Sequence, residues 1–204
     1  WFLNESSHVG VTGYTSSAEF TLAEPASPSF KESANYPTDN KASVIGINGR
    51  WGLGPAEVSG EYAYSVSGGM GAYLRSIWDV TKWAELSLSM RHFDPKFENP
   101  YARVEAAADE AFGQRARNEQ GMRFDAMLRP IKRLRLTTTI DAWQNPYESE
   151  ITPDGIDWTR ASKPVQDLKF RQRASYGITS KDYVYGLVQY DNKDLSKNSR
   201  DESY

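Results

Sequence analysis

The chain has 204 residues and no cysteine, which excludes disulfides and thiolate metal sites. A formal net charge of -3 and a pI near 5.5 give no general attraction to nucleic acid. Mean hydropathy is -0.66, and no apolar run approaches the roughly 18 residues of a spanning helix. A helical membrane protein is therefore excluded, but a membrane barrel, whose strands are apolar only at alternate residues, is not.

The chain opens WFLNESSHVG, without an initiator Met or a signal-peptide pattern, and is expected to be a mature form or an internal piece. Period-two alternation then recurs along its length, while helical periodicity is almost absent. A first strand is predicted over residues 8–22. SVIGINGRWGL (43–53) offers Ile45, Ile47, Trp51 and Leu53, and EVSGEYAYSV (57–66) offers Val58, Tyr62, Tyr64 and Val66. The strand at 69–78 sets Met70, Ala72, Leu74 and Trp78 against Gly71, Tyr73 and Arg75. At 83–93, Ala84, Leu86, Leu88 and Met90 oppose Glu85, Ser87, Ser89 and Arg91. The pair at 119–129 and 134–143 places Met122, Phe124, Ala126 and Leu128 beside Leu134, Leu136, Ile140 and Ala142. Strands at 166–178 and 183–192 complete the set.

These predicted strands suit a tilted crossing of a bilayer, which takes about 9–11 residues, better than the roughly 5–6 of an ordinary globular strand. The connections sort by parity. Those at 54–56, 79–82, 130–133 and 179–182 are short, whereas 23–42, 94–118 and 144–165 are long and rich in Pro, Asn and acidic residues. The tight VSGG hairpin near residue 67 is the exception. Short turns at one end and long loops at the other are the habit of outer-membrane barrels. The expected fold is thus an all-β, antiparallel up-and-down transmembrane β-barrel in the bacterial outer membrane, with the three long segments as extracellular loops. Nine strands is an odd number, so the barrel is expected to be partial and closed by further strands or by other envelope proteins.

Charges on the alternating polar faces would cost roughly 2–4 kcal/mol each for Arg or Lys at the lipid midplane, and so are expected to face a lumen. Tyr73, Arg75, Arg91, Arg123, Asp125, Arg129, Arg135, Asp141, Arg171 and Arg173 are the candidate lumen lining. They serve either as a mutually neutralising ion network or as an Arg-lined path for anions. Arg75 is expected near Arg91 or Glu85, and Asp125 near Arg135 or Arg123.

The segment from Arg91 to Tyr147 is the most distinctive. Its Arg91, Phe93, Pro95, Phe97, Asn99 and Tyr101 are followed by Ala111-Phe112-Gly113, then Asn118, Glu119 and Gly121, with Pro130 and Asp141 downstream. This pattern resembles a stretch of large bacterial barrel proteins whose periplasmic part often carries helix-hairpin-helix (competence-protein-like) repeats. The upstream GEYAYSVSGGMGAYL is similar to the hairpin preceding it. RVEAAADE departs from the pattern as an insertion and QNPYE as a substitution, and no such repeat lies in the chain, so its nucleic-acid binding does not carry over. Within the loop, Asp94, Phe97, Asn99, Tyr101 and Phe112 are candidates for docking or gating, against the plainer reading of turn formers and packing aromatics. Asp94, Glu98, Asp109 and Glu110 lack the spacing of an EF-hand.

Catalysis has little support. His8 and His92 sit in no metal or nucleophile motif, and GINGRWGLG lacks the Lys-Ser/Thr ending of a phosphate loop. No cofactor, metal or catalytic residue is expected. The reading is a non-enzymatic outer-membrane barrel, a channel or a docking component, with outer-membrane lipid as its surroundings. A soluble carbohydrate-binding β-sandwich or barrel and a barrel-embedded hydrolase are the alternatives.

Overall fold

A computed structural model describes residues 2–4, 6–17, 41–66, 68–97, 117–152, 155–179 and 181–192. All regular structure among them is strand: β1 (Phe2–Asn4), β2 (Ser7–Ser17), β3 (Lys41–Leu53), β4 (Ala56–Ser65), β5 (Met70–Thr81), β6 (Ala84–Phe93), β7 (Glu119–Ile131), β8 (Leu134–Thr152), β9 (Gly155–Gly177) and β10 (Tyr183–Asn192). They form one sheet in chain order, each strand antiparallel to the last. Among the described residues β1 and β10 do not pair, so the sheet is open. The nine expected strands are present and the three-residue β1 is additional. The first is shorter than expected as described, because residues 18–22 lie outside the described residues.

The segment 144–165, expected as a loop, is instead mostly a continuation of β8 and β9. Asn145-Pro146 and Lys163-Pro164 read as breakers in sequence. In the sheet both prolines fall where the ladder slips: Asn145 pairs Val165 and Tyr147 pairs Arg160, leaving Pro146 opposite residues 161–164. A bulge is where a strand tolerates residues that cannot donate to the ladder. The other two expected loops lie largely outside the described residues.

The hairpin turns are staggered in one direction. Ala56, just past the β3–β4 turn, pairs Trp78, three residues short of Thr81, where the β5–β6 turn begins. Ala84 pairs Leu128, again three residues short of Ile131 at the next turn, and Leu134 pairs Tyr176, one residue short of Gly177. The strands therefore run obliquely to the line of turns, the same coupling of tilt and register that closing a sheet into a barrel requires.

Constant register also sorts the side chains. One face joins Ile47 to Tyr62, Leu74 to Met90, Met90 to Met122, Ile140 to Phe170 and Phe170 to Tyr190, strand after strand. This apolar face has no second layer over it among the described residues. Val11 is 73% exposed, Ile47 51% and Met122 50%. The opposite, polar face is the more enclosed one, with Ser87, Ser89, Arg91, Glu119 and Asp141 all buried. In a single-layer sheet, side chains that shield one another lie on the inside of the curl.

The small hydrophobic cluster sits on that inner face at the loop end, where Val44, Ala63, Phe93 and Phe97 meet beside Tyr14. Phe97 reaches it because the chain after β6 folds inward across β5. Gly69 and Gly71 admit that turn. A Cβ on Gly69 would lie 2.1 Å from the Lys96–Phe97 peptide, and one on Gly71 would lie 2.7 Å from the Phe97 ring. Gly69→Ala should therefore lift the turn, lowering stability by about 1–3 kcal/mol and speeding tryptic cleavage after Lys96. An unchanged digestion time course would show that the seat does not depend on this glycine.

Candidate functional site

The polar face is organised around Arg91. Strand β6 places it directly between Tyr73 on β5 and Gly121 on β7. Because Gly121 has no side chain, the guanidinium can lie across β7 and reach β8. A Cβ there would stand 2.8 Å from the Arg91 Cζ and 2.9 Å from the Trp143 Cβ. Arg91 donates from Nε to Glu119 Oε1 and from Nη1 to Asp141 Oδ1, the latter at 2.8 Å. The Trp143 ring lies 6.0 Å from its Cζ. Only 1% of the Arg91 side chain is exposed. A buried charge this deep is tolerable only when paired and hydrogen-bonded, and here two strands supply the carboxylates.

A second group lies nearer the turns. Arg123 pairs with Asp125 at 3.0 Å, and the Thr139 hydroxyl donates to Asp125 at 2.7 Å. Of the two expected partners of Asp125, the structure selects Arg123. Lys169 and Asp191 face each other across β9 and β10 at 3.8 Å, and Arg50 pairs Glu57 toward the other edge. Of the two expected neighbours of Arg75, Arg91 is its diagonal neighbour on β6, and Glu85 makes no ion pair with it. Arg75 stands opposite Ser59 on one side and Ser89 on the other, with Glu85 four residues along β6 from Ser89.

Nine of the ten candidate lumen residues occupy this one face by register: Tyr73, Arg75, Arg91, Arg123, Asp125, Arg135, Asp141, Arg171 and Arg173. Arg129, in the irregular stretch between Leu128 and Ile131, puts its Nη2 3.7 Å from the Met127 Sδ of that face. The ten do not form one network. Arg91, Asp141, Arg123 and Asp125 are bound into ion pairs. Among the described residues Arg75, Arg129, Arg135, Arg171 and Arg173 have no carboxylate partner.

Both ends of the long loop are pinned over the same face. Asp94 accepts hydrogen bonds from the Met70 amide at its Oδ2 (3.1 Å) and from the Phe97 and Asn118 amides at its carbonyl. Ser65 Oγ donates to the Lys96 carbonyl, and Arg117 Nε donates to that of Pro95. The Phe97 ring stacks on Phe93 with centroids 6.0 Å apart.

Asn118 adopts φ +49°, a conformation asparagine accepts more readily than most residues. Its side-chain amide donates to the Tyr147 carbonyl at 2.8 Å and accepts from the Tyr147 amide at 3.0 Å, replacing a strand residue beside β8. Arg117 meanwhile lies over the Trp158 ring of the β8–β9 extension at 5.0 Å. Of the candidate loop residues, Asp94 and Phe97 are thus placed, while Asn99, Tyr101 and Phe112 lie outside the described residues.

Sequence reasoning did not name Glu119 as the partner of Arg91, or Gly121 as the gap through which Arg91 reaches Asp141. The alternation of β7 contains the signal, since Glu119, Gly121, Arg123 and Asp125 share one parity. No group of metal-binding side chains occurs among the described residues.

Replacing Arg91 by Met leaves two buried carboxylates without their cation and should cost about 3–5 kcal/mol, read as a lower urea midpoint. Gly121→Ala should cost less, about 1–3 kcal/mol, because the guanidinium must shift and remains present. An Arg91→Met chain as stable as the parent would show that the triad contributes nothing to the fold. Compared with family models, curated proteins and solved structures, the chain matches none.

Proposed function

We propose that this chain is a section of the wall of a bacterial outer-membrane β-barrel, with its apolar face toward lipid and its polar face toward a water-filled lumen. The observation that carries the reading is the inverted distribution of side chains. Large apolar residues are exposed across β2–β10, while Arg91, Glu119 and Asp141 are buried on the other side of the same sheet. In water that arrangement exposes far more contiguous apolar surface than the few hundred Å² a soluble monomer tolerates. In a bilayer it is the expected one. A carbohydrate-binding sandwich would cover the apolar face with a second sheet, and all ten described strands lie in one sheet.

The short turns then face the periplasm and the long loops face outward. Edges β1 and β10 would leave backbone donors and acceptors unsatisfied in lipid, at several kcal/mol each. Further strands or other envelope chains are thus the partners that complete the wall. Within the lumen the geometry supports two tasks. The Arg91 triad and the Asp94–Phe97 turn hold the base of the long loop inside the mouth, a fixed platform for docking. The resemblance to barrel proteins associated with helix-hairpin-helix repeats includes Arg91, Phe93, Phe97, Asn118, Glu119, Gly121 and Asp141, which supply the Arg91 triad, the Phe93–Phe97 stack and the Asn118 junction with β8. The arginines without carboxylate partners nearer the turns favour a path for anions.

Purified in detergent, the chain should float with liposomes after reconstitution and should aggregate when detergent is removed. A folded monomer in plain buffer would end the membrane reading. Phe124→Arg, on the apolar face, should lower stability in lipid by roughly 2–4 kcal/mol, whereas the same change in a water-exposed sheet would be nearly neutral. In planar bilayers Arg171→Gln should reduce anion over cation permeability, and unchanged selectivity would refute the anion path.

A further inference from the structure

On the polar face of β8 and β9 charge is segregated, although Arg50 and Glu57 pair beside the β3–β4 turn toward the other edge. Carboxylates meet Arg91, Arg123 and Lys169 toward the loop end and the middle of the strands. Toward the turn end of β8 and β9, Arg135 and Arg173 make no ion pair among the described residues. The register there is specific: Arg135 stands opposite Ser175 and Thr137 opposite Arg173. Two arginines thus occupy one diagonal of a four-residue block and two hydroxyls the other.

Tyr183, at the start of β10, joins these four around a cavity of about 260 Å³. The Tyr185 ring lies 4.5 Å from the Arg173 Cζ and orients the guanidinium. The Arg173 Nε is buried and has no hydrogen-bond partner among the described residues. The acid of the adjoining turn, Asp182, accepts a hydrogen bond from the Thr179 hydroxyl at 2.6 Å. Glu85 is separated from Arg173 in register by Met127 and Thr137.

We propose that Arg135, Thr137, Arg173, Ser175 and Tyr183 form a binding site for a small tetrahedral oxyanion, inorganic phosphate or a phosphate monoester taken from solution. The proposal deepens the anion path and rests on the reading of this face as water-filled. Two planar forks and three hydroxyls offer more donors than a carboxylate has lone pairs to use, and they line the cavity from three adjacent strands. Arginine forks match the spacing of phosphate oxygens and cannot be deprotonated at physiological pH. The volume suits a small anion better than an extended organic ligand, whose pockets run to about 300–1,000 Å³. Chloride would use the charge but few of the hydroxyls, so tetrahedral oxyanions are bound over halides.

The test is titration of inorganic phosphate into the full chain in an uncharged, phosphate-free detergent at constant ionic strength, followed by calorimetry. Arg135→Gln and Arg173→Gln should each weaken phosphate binding at least tenfold, and the pair should abolish it. Arg50→Gln, a change at a distant paired arginine, should leave binding within about twofold, and equal circular dichroism spectra would confirm folding. Parental binding in the double variant overturns the site. So does a loss as large in Arg50→Gln, which would reflect net charge alone. A response only to micelles doped with phosphatidic acid would also overturn the solute site, assigning the cluster to lipid phosphate. Absence of phosphate binding in a chain that inserts into liposomes defeats this site alone, while specific binding by a detergent-independent monomer keeps the site and defeats the membrane reading.

Discussion

Everything in this fold hangs on the lateral hydrogen-bond ladder, held in phase from β2 to β10. Side chains alternate with a period of two, so a slip of one residue between any two strands would turn the whole of one strand inside out. The two faces here are too different to permit that. A slip at the β6–β7 pair would drive Arg123 and Asp125 among Leu86 and Leu88 and expose Phe124 on the polar side. The stagger of the turns depends on the same phase. It tilts the strands against the line of hairpins, and tilt is what lets a single sheet curl around its polar face.

The curl explains why a sheet with almost no conventional core has buried charges at all. On the inner face, side chains from neighbouring strands converge, and the water around Arg91 is displaced by Glu119, Asp141 and Trp143. That displacement would be costly for a lone guanidinium. It is offset because one acid, Glu119, comes from β7 and the other, Asp141, is reached across the glycine gap on β8, so one side chain fastens β6, β7 and β8 together. At the turn end of β8 and β9 no ion pair forms among the described residues, so the charges of Arg135 and Arg173 are not neutralised there as that of Arg91 is.

The faces and most strands were legible in the sequence, because alternation survives in LSLSMRHF and RFDAML whatever the tertiary context. Boundaries were not legible where proline and asparagine carry two meanings. Pro146 and Pro164 look like loop residues until the ladder shows them sharing a bulge, and Asn118 looks like a turn former until its side chain pairs with Tyr147. Nine of the ten candidate residues could be assigned to one face from parity alone. Their partners could not, since which carboxylate meets which arginine depends on register between strands, and register is set by bulges and stagger rather than by spacing along one strand. That is why Asp125 was expected near two arginines, and why the reach of Arg91 over Gly121 went unread.

Strand β10 shows where the physical logic of the sheet changes. From β3 to β9 the inner face is mainly polar, but on β10 it carries Tyr183, Tyr185 and Leu187, with Val184, Val188 and Tyr190 on the outer side. All six are exposed. Over residues 183–188 the strand thus leaves apolar side chains uncovered on both faces, and its outer backbone groups have no partner strand among the described residues. A neighbour that pairs with β10 would complete its ladder and, if bulky on the inner side, would cover Tyr185 and so tighten the stacking that orients Arg173. The edge and the arginine cluster are therefore coupled: whatever chain segment lies against β10 also shapes the wall of the cavity beside it.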